Sequence, residues 1–115
     1  MKVHYLEFVS TEAEAQVASL EKIHGISFGS PVAELGNAKT ADMSDGSIVA
    51  VRAPMHDAEE PCTRPYFLTE DIEAAVKGLE EHGAEIAMMP TESPGRGSFA
   101  IYFQGGVQLG LWQLP

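Results

Sequence analysis

The chain is short of cysteine and of positive charge. Cys62 is the only cysteine among 115 residues. No intramolecular disulfide can form, and a zinc cluster built on cysteines is excluded. Seven Lys and Arg stand against 17 Asp and Glu, for a formal net charge of −10. Nucleic acid and anionic membrane surfaces both need a basic face, so neither is expected as a partner. No apolar run approaches the roughly 20 residues of a membrane span. The N-terminus, Met1-Lys2-Val3-His4-Tyr5-Leu6-Glu7, turns polar and acidic too early for a signal peptide. These absences lead to the expectation of a cytoplasmic protein. What is present is ordinary for a folded chain: 44% hydrophobic and 21% charged residues argue against disorder. At this length roughly two thirds of the unfolded surface can be buried in one core. A single domain over residues 1–115 is expected.

The sequence repeats itself. Val3 to Val9 reads as a strand, rich in β-branched and aromatic residues. Thr11 with Glu14 fits a capping box, and Val17, Leu20 and Ile23 or His24 give a helical stripe ending at Gly25. Three strand candidates follow: Gly25 to Phe28, Ala38 to Met43, and Ser47 to Ala53. The second half runs in the same order. Tyr66 to Thr69 reads as a strand, and Asp71 caps a helix carrying Ile72, Val76 and Leu79. Strand candidates follow at Ala84 to Met88, Ser98 to Phe103 and Val107 to Leu114. The turn Asp45-Gly46 matches Gly105-Gly106, which places Ala50 on Gly110 and Arg52 on Trp112. The predicted fold is therefore α+β, with two βαβββ modules, 1–57 and 62–115. An acidic, proline-bounded linker over about 54–61 joins them and reads as solvated. One such module buries too little by itself, so two are expected to share one curved mixed sheet with a concave cavity.

The order and spacing resemble the vicinal oxygen chelate superfamily, which includes glyoxalase I, bleomycin-resistance proteins and ring-cleaving dioxygenases. The opening strand His4-Tyr5-Leu6-Glu7-Phe8-Val9-Ser10 is similar to that family's first strand. Tyr66-Phe67-Leu68-Thr69-Glu70-Asp71-Ile72-Glu73-Ala74-Ala75 looks like its strand followed by a D-I-x-x-A helix. Gly83-Ala84-Glu85-Ile86, the loop Ser93-Pro94-Gly95-Arg96-Gly97-Ser98 and the closing Gly110-Leu111-Trp112-Gln113 look like a glyoxalase-related branch. The metal-dependent members hold one divalent ion with four side chains. Carried over by position, these are His4, Ala50, Pro65 and Gly110. Only His4 can bind a metal, so the resemblance implies a degraded metal site: no metal and no cofactor are expected. It implies a small-molecule ligand and a homodimer.

The candidate ligand-binding residues are His4, Phe8, Arg52, Phe67, Gln108 and Trp112. His4 is either a polar partner in the cavity or a satisfied half-buried histidine. Leu6 and Phe8 are either cavity wall or core. Arg52 and Trp112 form either a carboxylate-binding arginine with an aromatic wall, or an exposed arginine with a packed tryptophan. Gln108 shares the Trp112 face by alternation. Tyr102 and His4 are the candidates for proton transfer, with Tyr102 on either pleat. Cys62 has no nearby base, His24 and His82 read as helix-end residues, and the Glu59-Glu60 and Glu80-Glu81 pairs read as solvated. The leading expectation is a metal-independent small-molecule binder, one that sequesters a toxic compound. The alternatives are a divergent lyase or isomerase using His4 and Tyr102, and a dimeric accessory module.

Overall fold

A computed structural model describes all residues, 1–115. It is α+β, with seven strands and two helices. The elements in chain order are β1 (Val3–Val9), α1 (Ala13–His24), a 3-10 turn (Ala33–Leu35), β2 (Lys39–Asp42) and β3 (Ile48–Arg52). There follow β4 (Cys62–Leu68), α2 (Ile72–Glu81), β5 (Glu85–Ser93), β6 (Gly97–Gln104) and β7 (Val107–Gln113). The pairings mix parallel and antiparallel, as expected. No helix is long and apolar enough to cross a membrane. The chain falls into two compact units: Tyr5–Thr63, and Met1–His4 with Arg64–Pro115.

In the unit Tyr5–Thr63, β1 pairs parallel with β3, setting Glu7 opposite Ala50 and Val9 opposite Arg52. β2 returns antiparallel to β3 through the expected Asp45-Gly46 turn, where Asp45 accepts the Ser47 N–H at 2.9 Å. Helix α1, between β1 and β2, departs from expectation at its start. Glu12, not Thr11, precedes the first helical residue, and its side chain caps nothing. Instead Ser10 Oγ accepts the Glu12 N–H at 3.0 Å. The C-terminus is as read: Gly25 is left-handed and its N–H reaches the Glu21 carbonyl at 2.9 Å. Val17 is buried, whereas Ile23 is 73% exposed. Steps of three drift by about 60° each around a helix, which carries Ile23 off the buried face. Gly25 to Phe28 forms no strand, because the Phe28 N–H is taken by the Glu21 carboxylate at 3.0 Å.

The other unit shows the full βαβββ order, with strands running β4-β7-β6-β5. Asp71 caps α2 as expected, accepting the Ala74 N–H at 3.1 Å. Ile72 and Val76 of α2 pack on Ala100, Tyr102 and Leu111 and form the core of this unit. β4 begins at Cys62, four residues earlier than the sequence pattern suggests. Pro65 disguises it, yet pairing with β7 begins only at Tyr66, past the residue that lacks an N–H. β5 is longer than expected and its register shifts between Ile86 and Met88 and between Met88 and Thr91.

Candidate functional site

β-strand alternation divides the second unit into two faces. Leu111, Ala100 and Tyr102 face the α2 core. Trp112, Gly110 and Gln108 of β7 lie on the opposite face, each paired with a residue of β6: Phe99, Ile101 and Phe103. Trp112 is 1% exposed and stacks on Phe99, with ring centroids 5.4 Å apart and planes 19° apart. Tyr66 of β4 meets both edge-on, at 5.8 Å from Trp112 and 6.2 Å from Phe99. His4 lies 5.7 Å from Trp112 and is 7% exposed. The indole N–H donates to the Arg96 carbonyl at 2.9 Å. Trp112 is thus the centre of an aromatic cluster rather than a wall at the rim.

Beside the cluster sits Arg64, 4% exposed. Its Nε donates to Gln108 Oε1 at 3.0 Å, Nη2 donates to the same oxygen, and Nη1 donates to Tyr66 Oη at 3.2 Å. Sequence reading missed Arg64, Tyr66 and Phe99. The internal offset of 60 was the available signal for Arg64, since it carries His4 to that position. Further along the same face, Ile101 is half-buried, and Phe103 and Met88 are exposed.

Two expected site residues lie elsewhere in this unit. Tyr102 is in the α2 core, on the face opposite Trp112, and burial pushes its phenol above the usual range. It cannot share a substrate with the aromatic cluster. Phe67 is half-buried and stands opposite Leu111, so it too sits on the α2 face. Gln108 and Trp112 share one face of β7, and His4 lies beside Trp112. Phe8 and Arg52 belong to the other unit, where Phe8 is half-buried opposite Val51. Arg52 is buried, and its guanidinium holds two carboxylates: Glu7 at 2.8 Å from Nε, and Glu59 at 2.8 and 2.7 Å from Nη1 and Nη2. The Glu59 bonds, opposed by burial and reinforced by Glu7, raise its pKa above the usual value. The exposed-arginine alternative therefore fails. Glu59 is half-buried rather than solvated. His82 is a helix-end residue as read, its Nδ1 lying 2.8 Å from the Gly78 carbonyl.

No protein-family model matches the sequence, and no curated protein matches it. Solved structures do. A Streptomyces coelicolor methylmalonyl-CoA epimerase variant in complex with 2-nitronate-propionyl-CoA aligns at a TM-score of 0.72 and 15% identity, covering 99% of this chain and 97% of that one. The Mycobacterium tuberculosis methylmalonyl-CoA epimerase aligns at 0.72 and 11% identity, covering 96% and 86%. A hypothetical protein of Bacillus halodurans C-125 aligns at 0.73 and 12% identity, covering 99% and 94%. The epimerases are vicinal oxygen chelate proteins. This chain has the glyoxalase-like fold.

On a glyoxalase-like fold the question is whether the family's metal would fit. Ala50 stands opposite Glu7 and Gly110 opposite Tyr66, so the first strands are offset by 59 where the last are offset by 60. Pro65 is displaced from that geometry. It lies between Arg64 and Tyr66 in β4, so alternation turns it away from the Gly110 face. At Gly110 even a Cβ would collide with the ring of Tyr66, which leaves no room for a donor side chain. No three His, Cys, Asp or Glu side chains converge anywhere in the chain. A divalent ion needs several such donors, so the residues present do not fit the family's metal.

Proposed function

We propose that this chain is a small-molecule-binding protein of the glyoxalase and bleomycin-resistance type that works without a metal. One observation carries the reading. The face that holds the metal in the resemblance is here filled by Tyr66 and lined by Phe99, Ile101 and Phe103, with Arg64 and Gln108 beside them. Such a face suits an amphiphilic ligand: an aromatic or apolar body packs on the rings, and an oxygen acceptor reaches the Arg64–Gln108 end. Sequestration of a toxic compound is the role this chemistry supports. We expect the protein to act in the cytoplasm as a homodimer. The test is a thermal-shift series on EDTA-treated protein with aromatic ketones and amides. A ligand at about 100 times its Kd should stabilise the fold by about 2.7 kcal/mol. Phe99→Ala should abolish the shift while the protein stays folded. A shift that appears only with added metal contradicts the proposal.

The likeness to epimerases solved with acyl-CoA ligands supports a second reading, an isomerase acting on an acyl thioester. Proton transfer would then fall to His4 rather than Tyr102, which the α2 core removes from that face. Exchange of the α-proton of methylmalonyl-CoA in deuterated water, lost in His4→Ala, would favour it. No exchange would leave the binding reading alone.

A further inference from the structure

Arg52 holds Glu59 as a receptor holds a carboxylate. Glu59 Oε1 accepts from Arg52 Nη1 at 2.8 Å and from the Met55 backbone N–H at 2.7 Å. Oε2 accepts from Nη2 at 2.7 Å. Three donors therefore converge on one carboxylate, two of them in the parallel fork that gives arginine its specificity. Neutrality does not require Glu59, because buried Glu7 already pairs with Nε at 2.8 Å.

Glu59 comes from an irregular segment. β3 ends at Arg52, and residues 54–61, bounded by Pro54 and Pro61, contain no helix or strand. Most of their side chains are exposed. A segment held by side-chain contacts, with no ladder of backbone bonds, opens at lower cost than a strand. A groove of about 470 Å³ lies alongside, lined by Ala33, Gly36, Asn37, Ala53, Pro54 and Met55. Gly36 is left-handed, and a Cβ there would sit 3.1 Å from Arg52 Cδ and 3.3 Å from Met55 Sδ. Only a residue without a Cβ fits this close to the arginine, so the groove wall at Gly36 packs directly against Arg52 and Met55.

We propose that Arg52 is a carboxylate-binding site held shut by Glu59, and that its ligand is a small monocarboxylate with a short apolar body. The exchange conserves charge: the ligand carboxylate takes over the donors of Arg52 and Met55 as Glu59 leaves. The ligand's body lies in the groove. A tether of seven residues keeps Glu59 at an effective concentration in the millimolar range, so the native protein binds such ligands weakly.

Propionate and benzoate are the probes, titrated by amide NMR into the native protein, Glu59→Ala and the double variant Glu59→Ala, Arg52→Gln. Glu59→Ala should bind on the order of tenfold more tightly than the native protein. Its largest shifts should fall at Gly36, Ala53 and Met55. The double variant should lose the gain. Equal affinity in native and Glu59→Ala protein, or a gain that survives loss of Arg52, overturns the proposal. If Glu59→Ala does not fold, the native protein decides. Saturating benzoate should speed amide hydrogen exchange at Glu59, whose N–H donates to the His56 carbonyl at 3.1 Å in the closed segment, and unchanged exchange there overturns the proposal.

Discussion

Tyr102 and Arg52 show how one side chain's surroundings decide what it can do. Tyr102 carries a phenol into the packing of α2, among Ile72, Val76, Ala100 and Leu111. Burial raises its pKa above the usual tyrosine value of about 10. A folded-state pKa raised above the unfolded one gives stability that is complete below the unfolded pKa and is lost as pH rises through the folded one. The native protein should therefore weaken as pH climbs above about 10. Tyr102→Phe should flatten that alkaline limb in denaturant titrations across pH, with little change at neutral pH. Arg52 is the opposite case, a buried charge kept by partners. Arg52→Met removes the counter-ion of buried Glu7 and should cost about 3–5 kcal/mol. Urea unfolding at pH 7 measures this directly. A loss below about 1 kcal/mol would mean that the pair behaves as a surface ion pair.

At the scale of elements, the two strand-helix openings were legible because their signals are local. The β-branched run of β1, the Asp71 cap of α2 and the Gly25 stop of α1 each depend on a few neighbouring residues. The Asp45-Gly46 turn is equally local. What misled was non-local. Gly25 to Phe28 has strand-like residues, but a side chain seven positions back takes its backbone N–H. Glu59 reads as one of an acidic pair until Arg52 closes on it. Pro65 hides a strand, and alternation puts it on the reverse of the Arg64–Tyr66 face. A face error also explains Phe67, and the pleat of Tyr102 stayed open, since alternation decides both and neither neighbour in sequence reveals it. Between β4 and β7 the close approach is specific: Tyr66 lies where a Gly110 side chain would begin. Gly110→Ala should cost about 1–3 kcal/mol by overpacking. The cost should shrink when Tyr66→Leu is added, so the two changes are non-additive in a double-mutant cycle.

At the scale of the whole molecule, the α+β architecture came through because an internal repeat fixes element order more strongly than any one motif. A net charge of −10 disfavours anionic partners without choosing any other. The likeness to solved epimerases, at 11–16% identity, reaches the fold and stops there. The metal-free reading proposed above rests on the residues at four positions taken from the resemblance, His4, Ala50, Pro65 and Gly110. His4 remains a donor, Ala50 and Gly110 are not, and the ring of Tyr66 fills the space beside Gly110. The most direct measurement is calorimetric titration of the chelator-stripped protein with cobalt, nickel, zinc and manganese, followed by elemental analysis after gel filtration. The expected result is no stoichiometric metal retained, with ligand-induced thermal shifts unchanged by EDTA. One equivalent of metal, retained by the native protein and lost in His4→Ala, would contradict the metal-independent reading.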